Sequence, residues 1–364
     1  MSATAAALQR LRDRVLAARD SKTALEIRGG RTKSFYGNVP RGEPLDVREL
    51  SGITSYEPTE LVVTVLAGTP LVELESVLAE RGQCLPFEPP HFGTAGTVGG
   101  MVAAGLAGPA RASVGPLRDF VLGITMLNGM GERLTFGGQV MKNVAGYDVS
   151  RLIAGSMGIL GVICEVSLKV MPILAARRTL CFEMDETSAL KQLNRWAGES
   201  FPMNASAWHM GRLYVRLAGA NAAVDCALER SGGRELEPQA AAAWWSDIRD
   251  HRHEFFSFSD AQLARGECSW RLAVPDSVPP ISLPGEQFIE WGGGQRWWRS
   301  TAPASQIRPA AERAGGQATL VRAADKRPGV FTALTAASMN IHLRLKQSFD
   351  PAGIFNPGRL YPEL

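Results

Sequence analysis

An α+β fold built from more than one domain is predicted by three observations. A chain of 364 residues has the length for two or three domains with cores of their own. β-Branched runs such as ELVVTVLAGT alternate with amphipathic stretches such as LVELESVLAE, so strands and helices share the chain. The texture also changes near residue 174: glycine-patterned turns dominate before it, and all eight tryptophans fall between residues 175 and 325. There β–α–β–α alternation points to a separate α+β unit.

Each element follows from local pattern. In MSATAAALQRLRDRVLAARD, Leu8, Leu11, Val15 and Leu16 make one apolar face of a surface helix, and Asp13 and Asp20 argue against an organelle transit peptide. TALEIRGG reads as a short strand entering a glycine turn, and ELVVTVLAGT as a buried strand. Thr69 is placed to cap a helix with Pro70 at its first position, Leu71, Leu74, Val77 and Leu78 on its inner face, and Gly82 beyond its end. Residues 120–136 read as two strands joined by a tight turn at Asn128-Gly129. DVSRLIAGSMG gives a short helix and a glycine turn, and ILGVICEVSLKVMP a strand ending near Pro172. Further on, CFEMDETSALKQLNRWAGE reads as strand then helix, GRLYVRLAG as a strand and AVDCALERSGG as a helix. VPPISLPGE and ATLVRAADKRPG read as turn-rich connections, and the tail as a helix followed by a Pro/Gly-punctuated segment.

Composition narrows the function. Apolar residues make 45% of the chain and charged ones 21%, the balance of an ordinary globular protein. Lys+Arg of 39 against Asp+Glu of 36 leaves +3, with the signs interspersed, so no nucleic-acid partner is expected. Cys84, Cys164, Cys181, Cys226 and Cys268 form no C-x-x-C, which argues against disulfide, zinc and iron–sulfur frameworks and for reduced thiols in the cytoplasm. No apolar run reaches the ~18 residues of a membrane span.

Three glycine clusters stand out: IRGGRTKS, GTAGTVGGMVAAGLAGP and GSMGILGVI. Turns of this kind expose backbone N–H groups to anionic oxygens, and glycine lets a ligand approach without a Cβ in the way. Gly93, Gly96 and Gly99 are spaced by three, as are Gly155, Gly158 and Gly161, so neither the Rossmann G-x-G-x-x-G nor a phosphate-binding G-x-x-x-x-G-K-S/T is present. A long ligand touching several separated turns fits, and a dinucleotide flavin is long enough, although spacing alone leaves the choice open. In this reading GTAGTVGG is backbone cleared for a dinucleotide and MVAAGLAGP a small-residue segment packed behind it.

The ordered motifs IRGGRTKS, G-T-x-G-x-x-G-G, SVGPLRDFVLGITMLNGMGE, KNVAGYDVSRLIAGSMGILGVI and FDPAGIFNPGRLY span essentially the whole chain. Together they resemble the FAD-binding domain of the vanillyl-alcohol oxidase / p-cresol methylhydroxylase family. Within it, KNVAGYDVSRL and the W-W-x-x-x-R-D-H-R-H of Trp244 to His253 resemble the smaller subunits of bacterial glycolate-oxidising complexes. The resemblance implies an FAD-binding domain over 1–174, with subdomains of about 1–52 and 53–174. A cap or partner-binding α+β domain would follow over 175–328, and a segment 329–364 would return to the FAD domain. It implies noncovalent FAD, with Arg28, Gly29, Gly30, Arg31, Thr32, Lys33 and Ser34 at the pyrophosphate and Gly96, Thr97, Val98, Gly99 and Gly100 across from them. Arg111, Gly115, Arg118 and Asp119 would lie in the following loop, Gly155, Gly158, Gly161, Val162 and Ile163 around the adenine end, and Asn356 near the isoalloxazine or its ribityl chain.

The implied function is the FAD-binding subunit of a complex oxidising the small 2-hydroxy acid glycolate to glyoxylate. A catalytic flavoprotein subunit and an iron–sulfur subunit would be its partners, electrons would pass to a quinone-type acceptor, and membrane contact would be peripheral, through those partners, at the cytoplasmic face. A standalone FAD-dependent D-2-hydroxy-acid dehydrogenase of the lactate type and a scaffold with a vestigial flavin site are the alternatives. No catalytic residue or metal site is assigned. His91 reads as a polar turn residue instead of a covalent flavin anchor, and His251 and His253, two apart, as members of a surface helix that point to different faces. Arg271, Arg296 and Arg322 are candidates for a carboxylate clamp or for structural ion pairs. Trp244, Trp245, Trp270, Trp291, Trp297 and Trp298 are core or partner-face residues, and Tyr147 and Asp148 are expected to orient the neighbouring glycine turn.

Overall fold

In a computed structural model, which describes residues 3–138 and 148–364, the chain opens with helix α1 (Ala3–Ser21). It buries Ala7, Leu11, Val15 and Ala18, with Leu8 at the margin, on the expected face. Strand β1 (Leu25–Arg28) pairs in parallel with β2 (Glu43–Asp46). The C-terminal tail lies along the other edge of β1: Leu25 N–H donates to Ile354 O at 2.7 Å, and Asn356 N–H to Leu25 O at 2.9 Å. Leu25, Leu45 and Phe355 close a small core beneath α1.

A five-stranded antiparallel sheet follows, in the order β3 (Ile53–Glu57), β4 (Val62–Leu66), β8 (Val162–Lys169), β6 (Val121–Leu127) and β7 (Arg133–Gly137). The short β5 (Gln83–Cys84) and β9 (Met171–Pro172) pair beside it. Helix α2 (Leu71–Glu80) packs Leu71, Leu74 and Leu78 into its core, with α3 (Val98–Ala104) alongside. Helices α4 (Arg111–Val114) and α5 (Val149–Ile153) are single turns; Asp148 caps α5 by accepting from Arg151 N–H. Tyr147 lies outside the described residues.

Two local expectations fail here for tertiary and steric reasons. Thr69 does not cap α2; its hydroxyl exchanges hydrogen bonds with Gly52 N–H and O, and Pro70 takes the cap position. The hairpin turn is not a two-residue Asn-Gly turn. Asn128 Oδ1 accepts from Met130 and Glu132 N–H, and the positive φ falls on Gly131, at 73°.

The remaining strands form one eight-stranded antiparallel sheet. Its order is β13 (Arg234–Glu235), β10 (Ala176–Glu183), β12 (Arg212–Gly219), β11 (Met203–His209), β15 (Glu286–Glu290), β16 (Gln295–Ser300), β14 (Cys268–Ala273) and β17 (Gln317–Arg322). Helices α6 (Glu186–Ala197) and α7 (Asn221–Ser231) cover one part of it and α10 (Ala304–Arg313) another. Helix α8 (Pro238–Arg249) and the short α9 (Asp260–Ala264) lie between. ATLVR is therefore not a turn but the strand β17, whose Ala318, Leu320 and Val321 are buried. Trp270 and Trp298 are among the most deeply buried side chains. Helix α11 (Ala336–Phe349) leads into the returning tail. Among the described residues no helix is long and apolar enough to cross a membrane.

Candidate functional site

A cleft of about 900 Å³ opens where β1, the N-terminus of α3 and the tail meet. One wall is the loop after β1, from Arg28 to Ser34, all of which line it. Among the described residues, the backbone N–H groups of Gly29, Gly30, Arg31, Thr32 and Lys33 meet no protein acceptor. Arg31 sits in the left-handed region at φ 58°, which helps turn successive N–H groups toward one point. Arg28 gives its Nη2 to Glu26 Oε2 at 2.5 Å, while its buried Nε has no partner. Burial pushes the Lys33 ammonium down to about 8. These are the features of an anion cradle.

The facing wall is the start of α3, where Thr97, Gly99, Gly100, Ala103 and Ala104 reach the cleft. Its N–H groups are already committed: Val98 donates to Thr69 O at 2.9 Å, Gly99 to Ala67 O at 2.7 Å, and Gly100 to the Thr97 hydroxyl at 3.2 Å. This wall therefore offers shape more than donors. Gly158, Gly161 and Ile163 line the floor with Met157. Asn356 lines it too, but as a staple, its amide accepting from Ile27 N–H at 2.8 Å and donating to Met157 O at 2.7 Å.

Eight of the expected residues do not line the cleft. Gly96 lies just behind Thr32, and Val98 is buried in the core. Val162 packs under α1, and Gly155 crosses Gly105. Arg111 covers the ring of Trp291, 4.5 Å from its centroid, and Gly115 abuts Asp119. Arg118 is exposed, as is Asp119, which lies 3.7 Å from Arg151. Conversely, Arg359 was not anticipated. It lines the cleft and donates to the carbonyls of Ser34, at 3.1 Å, and Tyr36, fixing the far end of the cradle loop. The only signal for it in the sequence is its place directly after the N-P-G turn.

The glycines divide by what they make room for. A Cβ on Gly30 would collide with Ala95 O, and one on Gly99 would stand 2.7 Å from the Ala67 side chain. On Gly105 it would meet Gly155 Cα at 2.8 Å, and on Gly158 the Asn356 amide at 2.7 Å. These glycines let protein segments cross closely, so the reading of GTAGTVGG as backbone cleared for a ligand holds for only part of it. Gly100, whose nearest contact is its own Thr97 hydroxyl at 3.1 Å, faces the cleft.

Beyond Ser34 the same loop turns into a second, much smaller chamber, walled by Phe35, Tyr36 and Phe92 on one side and by the large sheet on the other. His251 lines it. His251 and His253 are not on a surface helix, because α8 ends at Arg249 and both lie beyond it. His251 stacks on Phe256 at 4.2 Å, and burial with Arg322 and Arg271 nearby pushes its pKa down to about 3. His253 belongs to another cluster, 5.3 Å from His209. Of the three clamp candidates, Arg296 is fully buried and spends its guanidinium on the carbonyls of Gly293, Pro279 and Val278. Arg271 lines the chamber, and Arg322 lies over the Phe35 ring at 3.8 Å with its Nε unpartnered. His91 faces α2, its Nε2 2.9 Å from Glu75 Oε2 but poorly aligned for a hydrogen bond.

Comparison with known proteins agrees with this geometry. Residues 3–137 match the family model described as an FAD binding domain. The chain is 45% identical over 98% of its length to glycolate oxidase subunit GlcE of Escherichia coli, of which it covers 98%. It is 28% identical over 45% of its length to glycolate oxidase subunit GlcD of Bacillus subtilis, covering 35% of that protein. The fold matches a solved alkyldihydroxyacetonephosphate synthase with a TM-score of 0.64 at 15% identity, over 96% of this chain and 75% of that one.

Proposed function

Because the chain belongs to the family of glycolate oxidase E subunits, we propose that it is the FAD-binding subunit of a complex that oxidises glycolate to glyoxylate. The observation that carries this reading is the run of free N–H groups from Gly29 to Lys33 beside the unpartnered Arg28 Nε. Such a run accepts a pyrophosphate without a fixed counter-charge, and a cleft lined by the separated turns of Gly29–Gly30, Gly99–Gly100 and Gly158–Gly161 suits a dinucleotide. We read the FAD as held noncovalently, since among the described residues no histidine lines the cleft and His91 is turned to Glu75. When bound, FAD supplies a two-electron acceptor; the chain binds it, orients it and excludes water. Gly29–Lys33 would hold the pyrophosphate, Lys33 would add a nearby positive charge, and Gly100, Ala103 and Ala104 would form the facing wall. Its five cysteines are free and scattered, which supports an iron–sulfur relay on a partner subunit beside a catalytic flavoprotein subunit. Contact with the cytoplasmic face of the membrane is then made through those partners.

Gly100→Val tests the cleft. Gly100 lines the cleft, and an added Cβ meets only the Thr97 hydroxyl, at 3.1 Å, which must give by a few tenths of an ångström, so FAD affinity is expected to fall at least tenfold while the circular dichroism spectrum is unchanged. Acid precipitation of the wild type is expected to leave yellow flavin in the supernatant. Full flavin retention by the variant would sink this placement of the cofactor, and flavin in the pellet would contradict noncovalent binding.

A further inference from the structure

The second chamber holds chemistry that the cofactor cleft does not use. It shares the loop of Lys33 and Ser34 with the cleft through the next residues, Phe35 and Tyr36, so a ligand there lies against the same wall. On the other side, β16 sits between β14 and β15, with Arg271 opposite Trp297 and Glu290 opposite Gln295. Directly paired residues share a face, so Arg271 and Glu290 project from the same side of the sheet. They stand two strands and two residues apart, a Cα separation of about 12 Å that two long side chains narrow to the span of a small molecule.

The other polar groups in the chamber are occupied. Arg249 pairs with Asp250 at 2.9 Å, and His251 is held neutral between rings. Arg271 uses one donor, Nη2 to the Tyr36 hydroxyl at 3.0 Å, and forms no ion pair among the described residues. Glu290 is 4% exposed, and both of its hydrogen bonds fall on Oε2, from Trp297 Nε1 at 2.6 Å and Gln295 Nε2 at 3.0 Å. Among the described residues Oε1 accepts none. The chamber thus combines aromatic walls, a cationic fork with spare donors and a buried acceptor.

We propose that this chamber binds a small 2-hydroxy carboxylate, with Arg271 gripping the carboxylate and Glu290 Oε1 accepting the hydrogen bond of the hydroxyl. The assignment rests on the reading of the chain as a flavin-binding subunit of a glycolate-oxidising complex, and it names the groups that would select the substrate. Burial pushes the Glu290 carboxyl up to about 7, so both its forms are accessible near neutrality.

The test is calorimetric titration of glycolate and of acetate, which lacks the hydroxyl, into the purified chain after anaerobic dithionite reduction, with flavin content read by absorbance beforehand. Glycolate is expected to bind at least tenfold tighter than acetate. Arg271→Met should weaken both at least tenfold, and Arg271→Lys, which keeps the charge without the fork, should be intermediate. Glu290→Gln should weaken glycolate alone and abolish the preference, and all three variants should keep wild-type flavin content. Glycolate binding unchanged in Arg271→Met and Glu290→Gln, or absent from the wild type, overturns the proposal. Arg271-dependent glycolate binding by a chain that carries no flavin would uphold the chamber and count against the cofactor reading alone.

Discussion

Glu290 sits in surroundings that oppose its charge. Desolvation is the dominant influence, raising its pKa from 4.5 to about 7; Glu88 acts in the same direction, while Trp297, Gln295 and Arg271 act against it. The neighbouring charges on adjacent segments are Arg249, paired with Asp250, and the neutral His251. The sign of the stability effect follows. Between 4.5 and about 7 the folded state keeps a proton that the unfolded chain has lost, so this group lowers stability as pH rises through that window, by at most about 1.4 kcal/mol per pH unit. Above about pH 7 both states are ionised and the contribution is flat. Glu290→Gln should therefore gain on the wild type in melting temperature from about pH 5 to about pH 7 and run parallel to it above. An offset that does not vary with pH would show that Glu290 ionises as an ordinary carboxyl. Nothing in FIEWGGGQRWW marks this glutamate, because its acidity depends on packing from three strands. The cradle residues Arg28 to Ser34, by contrast, were legible, since a glycine pair after a short strand constrains the backbone by itself.

At the scale of elements, α11 is fixed by one buried charge. Lys346, its only buried residue, donates to Ile159 O at 2.7 Å, Phe355 O at 2.8 Å and Asp350 Oδ2 at 2.7 Å. Asp350 in turn accepts from Ile354 and Phe355 N–H. Lys346→Met leaves that carboxylate buried and unpaired, and a loss of about 3–5 kcal/mol in urea unfolding is expected. A loss below about 1 kcal/mol would mean that the carboxylate finds water instead. The apolar period made α1, α2, α6 and α7 legible, whereas α8 and α10 were not read. What escaped were the choices made by distant partners: the Thr69 hydroxyl recruited by Gly52, and ATLVR drawn into a sheet edge by β14. Local propensity does not carry that information.

Across the whole molecule, the two large sheets are clasped by a buried ion pair. Glu88, in the loop after β5, accepts from Ala110 N–H at 3.0 Å and from Arg216 Nη2 of β12 at 2.7 Å. Arg216 also donates to Asn204 and lies over Trp245 at 4.9 Å. All eight tryptophans belong to the part of the chain that forms the eight-stranded sheet, so their fluorescence reports chiefly on that part, with Trp291 also touching Gly108 and Arg111. Arg216→Met should cost about 3 kcal/mol and separate the tryptophan transition from the far-ultraviolet dichroism transition, which are expected to coincide in the wild type. Coincident transitions in the variant would mean that the clasp is not what couples the sheets. The tail has a consequence of another kind. Because residues 354–356 flank β1 and Asn356 braces the cleft floor, the site at the first strand is completed by residues more than 300 positions further along the chain. A chain cut before residue 354 therefore keeps every glycine turn of the cleft and lacks the segment that closes it.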